Sequence, residues 1–177
     1  PTIMTDGSLP DSPALVAGTV GSSALIDRLA ADGLIDVTGL AGKWESCLVR
    51  TGNACGHDLL VIAGSDRRGT AFGLTSLCEA VGVSPWYWWA DVTPRHKDAL
   101  YVQPGLYLQK EPDVQYRGIF LNDERFGGWA RWSEECFETE THKVGPKTYS
   151  KVFELLLRLK ANYLWPAMHP GTQAFNG

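Results

Sequence analysis

The stretch YRGIFLNDE, Tyr116–Glu124, decides the fold of the second half of the chain. Its apolar residues 118–121 carry no alternating polar side chain, which predicts a strand buried on both faces. The strand ends on three polar residues, Asn122, Asp123 and Glu124. Loops and ligands gather at the carboxyl ends of strands in parallel α/β folds, so this polar cluster is a candidate site. A structural role, in which the two carboxylates cap the next element or face solvent, stays open on these residues alone.

The residues that follow predict a strand, helix and strand in sequence. Residues 125–147 lack a clear period, which predicts a long loop above the strand end. An amphipathic helix is predicted over 148–161, and a second buried strand over 163–165. The inward face of the helix is predicted to comprise Val152, Leu155, Leu156 and Leu159. Two strands of a parallel barrel cannot bury their own faces, so we expect more protein to follow Gly177.

The first half of the chain predicts a small α+β sandwich. Residues 14–17 indicate a strand, and Ser22 or Ser23 caps a helix that ends at Gly33. The apolar residues of that helix are Leu25, Ile26 and Leu29. Two further strands, predicted over 44–50 and 58–63 with turn residues between them, form a hairpin.

A second helix completes the predicted β-α-β-β-α order. It is predicted over 70–81. Its inward face is predicted to comprise Leu74, Leu77, Cys78 and Val81. A short strand over 99–102 is expected within the connector to the second half. Residues 1–110 are therefore assigned to the α+β domain and 111–177 to the start of a second domain.

Four consecutive aromatic residues, Trp86–Trp89, follow the second helix. Strand alternation would send Trp86 and Trp88 to one face, and Tyr87 and Trp89 to the other. Core packing is the default for each ring, and stacking of one ring against a sugar is the alternative.

Composition excludes several classes of function. The chain has 177 residues and a net charge of -4. It has no Lys/Arg run, which argues against nucleic acid and against a membrane surface as partners. No apolar run approaches the roughly 20 residues that span a bilayer. The cysteines Cys47, Cys55, Cys78 and Cys136 fit no metal-binding spacing, so neither a metal nor another cofactor is expected. Cys47 and Cys55 could pair in an oxidising compartment.

The loop SDRRG places Asp66, Arg67 and Arg68 at the start of the second predicted helix, where an anion could bind. A structural role is also open, with Asp66 capping the helix and an arginine pairing with Asp66 across the domain interface. The earlier stretch GTVGSS, residues 18–23, lacks the third glycine of a dinucleotide fingerprint and the lysine of a P-loop.

Four segments together resemble the N-terminal part of glycoside hydrolase family 115, the xylan α-1,2-glucuronidases. They are LVIAGSDRRGTAFGL, GVSPWYWWADV, YRGIFLNDE and FELLLRLKANYLWPAM. The resemblance spans residues 15–176. It implies an α+β domain like the second domain of β-hexosaminidases, followed by the first βαβ unit of a (β/α)8 TIM barrel.

The family resemblance also implies a reaction and a set of residues. Family members release glucuronic acid or its 4-O-methyl ether from the xylan main chain with inversion and without a metal. By resemblance, Glu124 and Asp123 are catalytic candidates. Asn122, Trp165, Arg68 and His169 are candidates for substrate binding. His169 stands where the family usually has a tryptophan, and a lone histidine is more often structural.

The expected partner is glucuronoxylan or its oligosaccharides, and the family implies secretion. The resemblance leaves a homodimer, formed through further domains, open. This chain by itself is expected to be inactive, because most of the barrel would lie outside it. Two alternatives remain: a non-catalytic carbohydrate-binding or domain-docking module that uses Trp86–Trp89, and a hexosaminidase-like glycosidase with an Asp-Glu pair on a later strand.

Overall fold

A computed structural model of the chain describes residues 8–122 and 128–166. The described residues divide into two compact units. The first unit comprises residues 8–84 and 93–113. The second comprises residues 85–92, 114–122 and 128–166, so the aromatic run belongs to it. No helix in these parts of the chain is long and apolar enough to cross a membrane.

The first unit is built on a mixed four-stranded sheet. In chain order its elements are β1 (Ala14–Thr19), α1 (Ala24–Ala31), β2 (Cys47–Ala54), β3 (His57–Gly64), α2 (Arg67–Ala80) and β4 (Leu106–Gln109). The strand order is β1-β3-β2-β4, with β1 parallel to β3 and the other pairs antiparallel. The predicted pairing of the hairpin is confirmed as β2 and β3, but β2 begins and ends later than predicted, because residues 51–54 pair with β3 and the turn lies at residues 55–56. Ser23 caps α1 as one of the two predicted serines.

Helices cover both faces of this sheet, which explains the continuous apolar run of β3. Ile26 and Leu29 of α1 join the buried cluster that contains Val61. α2 packs on the opposite face, where a Cβ added to Gly73 would lie 2.5 Å from the Ile62 side chain. A residue larger than glycine would therefore push this helix off the sheet.

Three expectations for the first unit are wrong. The buried residues of α2 are Gly69, Phe72 and Gly73, while the predicted inward side chains are only half-buried. Glycines carry the close helix-sheet contact, and a search for large apolar residues overlooks them. Residues 99–102 form no strand; β4 follows them instead.

Cys47 and Cys55 are both free, and the suggested disulfide is wrong. Cys47 is the first residue of β2, and Cys55 follows its last residue. A strand rises about 3.3 Å per residue, so the two lie roughly 25 Å apart. A disulfide requires Cα atoms about 4.4–6.8 Å apart.

The second unit contains a parallel strand pair and two helices. Its elements are β5 (Gly118–Phe120), α3 (Trp129–Phe137), α4 (Pro146–Arg158) and β6 (Tyr163–Trp165). β5 and β6 pair in parallel, so β5, α4 and β6 form the predicted βαβ unit. Ile119 and Leu164 pack against the cluster that contains Val152 and Leu156 of α4.

Four expectations for the second unit need correction. Neither strand is buried on both faces: Phe120 is 59% exposed and Trp165 56% exposed, because α4 covers only one side of the pair. The region predicted as a long loop contains α3. Leu159 is exposed, because the helix ends at Arg158 rather than at Ala161. The aromatic run forms turns rather than a strand, with the Trp89 and Ala90 amides donating to the Trp86 carbonyl.

Candidate active site

The carboxyl ends of β5 and β6 meet at one edge of the parallel pair. Phe120 is in register with Trp165, and the Leu121 amide donates to the Trp165 carbonyl at 3.0 Å. Asn122 follows directly. Two of the residues predicted from the sequence, Asn122 and Trp165, are therefore brought to the same strand end. Asp123, Glu124 and His169 lie outside the described residues.

Helix α3 begins next to this edge. The indole Nε1 of Trp129, its first residue, donates a hydrogen bond to the backbone carbonyl of Asn122. This hydrogen bond links Asn122, the residue before Asp123, to the start of α3. The sequence pattern missed α3, so it also missed Trp129 as a residue that positions this strand end.

The rings of Phe120 and Trp165 share one face of the strand pair. Their centroids are 5.3 Å apart in an edge-to-face arrangement, and both rings are more than half exposed. An exposed indole next to a strand end offers a flat apolar surface. Such a surface can pack against the C–H face of a sugar ring.

The opposite ends of the two strands are held by Arg117. Its guanidinium donates from Nε at 3.0 Å and from Nη2 at 2.7 Å to the Lys160 carbonyl, and from Nη1 at 2.7 Å to the Val114 carbonyl. Its backbone amide donates to Asn162 Oδ1 at 3.0 Å. A guanidinium with this many partners fixes the chain on both sides of α4. The sequence analysis missed this role of Arg117, although Arg117 and its partner Lys160 both lie within the quoted motifs.

Glu138 is a buried carboxylate at the start of α4. It is 3% exposed, and its Oε1 accepts from the Thr148 amide at 2.8 Å. Negative charge is stabilised at a helix N-terminus, so this side chain caps α4. A Cβ on the N-cap residue Gly145 would lie 3.2 Å from the same carboxylate, which leaves little room for another residue there. Glu138 thus stabilises the βαβ unit by fixing the start of α4.

The aromatic run packs against α3 and α4. Trp88 Nε1 donates to Glu154 Oε2 at 3.0 Å, and Lys151 Nζ lies 3.8 Å from the centroid of the Trp88 ring. Trp89 lies 5.6 Å from Trp132. Trp88 and Trp89 therefore pack within the unit, as predicted by default for each of these rings.

Tyr87 lies beside the same α4 side chains. Burial raises the pKa of its hydroxyl above the ordinary value, and the negative charge of Glu154 raises this pKa further. Arg158, whose guanidinium is 5.9 Å from the ring, opposes the effect. The Tyr87 phenol therefore loses its proton at a higher pH than an ordinary tyrosine does.

Arg68 is placed in the first unit, at the start of α2. Its Nη1 lies 3.3 Å from Glu45 Oε1, and the Glu45 side chain is 2% exposed. Asp66 is the N-cap of α2: its Oδ1 accepts from the Gly69 amide at 2.7 Å, and its Oδ2 from the Glu45 amide at 2.8 Å. The capping role predicted for Asp66 is confirmed, but Arg68 pairs with Glu45 of the same unit instead of with Asp66 across a domain interface. The ion pair of Arg68 is made with Glu45, while its role in substrate binding stays a prediction.

Comparison with known proteins places the chain in a protein family. Residues 109–177, which include both strand ends, match the sequence model of glycosyl hydrolase family 115. The predicted resemblance is confirmed, and the chain is a segment of family 115 glycoside hydrolase sequence.

A solved structure extends the match into the first unit. It is a family GH115 4-O-methyl-alpha-glucuronidase with specificity for decorated arabinogalactans. The match has 42% sequence identity and a TM-score of 0.76, and covers 89% of this chain. It covers 20% of the solved chain, so the present chain spans about a fifth of that protein. A search of curated protein sequences found no match.

Proposed function

We propose that this chain forms part of an α-glucuronidase that releases glucuronic acid, or its 4-O-methyl ether, from a plant polysaccharide. The observation that carries the proposal is the meeting of Asn122 and Trp165 at one strand edge, inside the stretch that matches family 115. Family 115 membership favours this activity over a hexosaminidase-like one.

In this proposal the βαβ unit begins a (β/α)8 barrel, and the first unit is the preceding α+β domain. Three features support it. β5 and β6 are parallel with α4 between them, α4 covers one side, and the other side exposes Phe120 and Trp165. Apolar side chains that face away from the helix are those that fill a barrel interior. Further strands would cover them.

Glu124 is the proposed catalytic carboxylate contributed by this chain, and Asp123 is the neighbouring candidate. An inverting glycosidase needs one carboxylic acid to protonate the leaving oxygen and one carboxylate to activate water, about 6.5 to 9.5 Å apart. Two adjacent residues at one strand end do not fit that separation easily, so we assign Glu124 to acid/base work or substrate binding, with Asp123 shaping the pocket. The second carboxylate of the pair would come from a later strand.

Four residues are proposed to bind substrate. Trp165 offers its exposed ring to a sugar face, and the Asn122 amide suits a sugar hydroxyl. His169, four residues after Trp165 in the sequence, is kept as a hydrogen-bonding candidate. Arg68 suits the uronate carboxylate by charge. Its contact with the buried Glu45 carboxylate would have to be shared or exchanged for that role.

The proposed substrates are glucuronic-acid-bearing xylans, with decorated arabinogalactans as the competing class because the similar solved enzyme is specific for them. The proposed enzyme needs no cofactor and is secreted. Dimerisation would depend on domains outside this chain.

The test compares Glu124→Gln with the unchanged enzyme, both produced from the complete gene. Glucuronic acid release is measured on glucuronoxylan oligosaccharides and on decorated arabinogalactan, and proton NMR follows the anomer formed first. We expect a loss of at least about a hundredfold in kcat, the scale of general acid-base catalysis. Inversion predicts that the β-anomer of the released acid appears first.

Glu140→Gln is the matched control. Glu140 is another glutamate of the second unit, with a side chain 79% exposed and a single contact of 3.4 Å to Lys147. It should retain full activity. Unchanged release by Glu124→Gln would refute the role of Glu124, and an α-anomer as first product would refute inversion.

A further inference from the structure

The first unit carries a groove on the face of the sheet that α2 occupies. Residues in register share a face of a sheet, so Leu15, Thr51 and Leu60 lie on the same side as Ile62. The Thr19 and Thr70 hydroxyls are 2.8 Å apart, which places the start of α2 beside the end of β1. α2 therefore begins at the end of the sheet where β1 finishes. Toward the other end the same face is open, since Leu15 of β1 is 49% exposed.

The segment 100–104 borders this open end and forms a groove of about 680 Å³. Pockets for small organic ligands span about 300–1,000 Å³, so the groove has room for a sugar unit. Hydrogen bonds between Thr51 and Gly105 hold the bordering segment: the Thr51 amide donates to the Gly105 carbonyl at 3.1 Å, the Gly105 amide donates to Thr51 Oγ1 at 2.8 Å, and Thr51 Oγ1 donates to the Gly105 carbonyl at 3.4 Å. The wall of the groove is thus attached to the sheet.

The lining combines an aromatic ring, apolar side chains and a polar pair. Tyr101 is 94% exposed, and Leu15 and Val102 are about half exposed. At the hairpin end, Asn53 Nδ2 donates to Asp58 Oδ1 at 3.1 Å. That bond uses one N–H of the amide and one oxygen of the carboxylate. The second amide hydrogen, the amide oxygen and the second carboxylate oxygen still have hydrogen-bonding capacity.

This composition suits a neutral sugar. A pyranose ring has apolar C–H faces that can pack on the Tyr101 ring, and hydroxyl edges that can pair with an amide and a carboxylate. Asp58 is the charged residue among the described residues that line the groove, and no lysine or arginine lines it there. A uronic acid would be repelled by this carboxylate, whereas a neutral main-chain sugar would not.

We infer that this groove is a secondary binding site for the neutral main chain of the polysaccharide, separate from the candidate active site of the second unit. The inference rests on the proposed function for the class of ligand. The inference also changes the alternative of a carbohydrate-binding module: the sugar would stack on Tyr101, which is 94% exposed, instead of on Trp88, which packs against α4. Such a site would keep the enzyme on a polymer between cleavage events.

The experiment measures binding without cleavage, using the 177-residue chain. Affinity gel electrophoresis is run in neutral arabinoxylan, in neutral galactan and, as an acidic polymer, in polygalacturonate. The variants are Tyr101→Ala and Asn53→Ala. Tyr107→Ala is the matched control, since Tyr107 is a tyrosine of the same unit, 53% exposed on β4 and outside the groove.

Retardation in a neutral polymer is expected, weakened about five- to tenfold by Tyr101→Ala, which loses one stacking contact. Asn53→Ala should also weaken it, and Tyr107→Ala should not change it. Amide proton spectra establish that each variant is folded. Absence of retardation in both neutral polymers, an equal loss in Tyr107→Ala, or retardation only by polygalacturonate would each overturn the inference. Because no hydrolysis is measured, these outcomes are independent of the test on Glu124.

Discussion

Asp66 joins two segments of the first unit, and its replacement should lower stability in measurable steps. One carboxylate oxygen caps α2 through the Gly69 amide, and the other accepts the amide of Glu45, a residue with φ of 51°. A non-glycine residue at positive φ needs support from its surroundings. Asp66 supplies part of this support from the start of α2.

The two hydrogen bonds set the size of the effect. Loss of an N-cap costs about 1 kcal/mol, and an unpaired amide at a buried position costs about 1–3 kcal/mol. Asp66→Ala should therefore lower the free energy of unfolding of the first unit by about 2–4 kcal/mol. Asp66→Asn keeps one acceptor for the cap but turns an NH2 group toward the Glu45 amide, so it should lose about half as much.

Native-state amide hydrogen exchange measures this effect in the first unit alone. The exchange rates of the Gly69 and Glu45 amides report the opening free energy at each end of the Asp66 contact. Asp113→Ala, an exposed aspartate of the same unit, is the control and should shift stability by less than about 0.5 kcal/mol. An Asp66→Ala shift below about 1 kcal/mol, or an Asp66→Asn variant as stable as the unchanged chain, would refute the reasoning.

Two further predictions concern the second unit. Gly118→Ala should separate β5 from β6, because the added Cβ would overlap the Tyr163 carbonyl. The measurement is the set of cross-strand NMR contacts between Ile119 and Leu164. Loss of these contacts is expected, and their retention would contradict the prediction. The pKa of Tyr87 in the folded chain should lie above the ordinary tyrosine value of 10.0. The neutral Tyr87 phenol therefore contributes fully to folding stability below pH 10.0, and this contribution is lost as the pH rises through the pKa of the folded state. Ultraviolet titration compared with Tyr87→Phe measures this, and a Tyr87 pKa at or below the ordinary value would contradict the assignment.

Local patterns predicted most elements because periodicity and turn chemistry act over a few residues. The serine before α1, the hairpin turn and the amphipathic face of α4 are each encoded within one short stretch. The continuous apolar run of β3 is typical of a strand covered on both faces, and α1 and α2 provide that cover. The resemblance to the family identified the candidate site residues at the ends of β5 and β6.

Other features depended on distant contacts. Helix α3 spans only nine residues, and its Trp132 and Phe137 pack with Trp89, which lies more than 40 residues earlier in the chain. The aromatic run forms turns because its rings bind helix side chains such as Glu154 and Lys151. Strand propensity within the run could not reveal those partners.

For this protein, the sequence alone determined the βαβ unit, the family and the candidate residues at the end of YRGIFLNDE, since these depend on local period and on motifs. Tertiary structure decided which side chains share a surface. It brought Asn122 beside Trp165, assigned Arg117 and Glu138 to holding the unit together, and left Tyr101 exposed over a groove. The physical reason is that burial, hydrogen-bond partners and open surface are properties of contacts between residues far apart in the chain, which a short pattern does not contain.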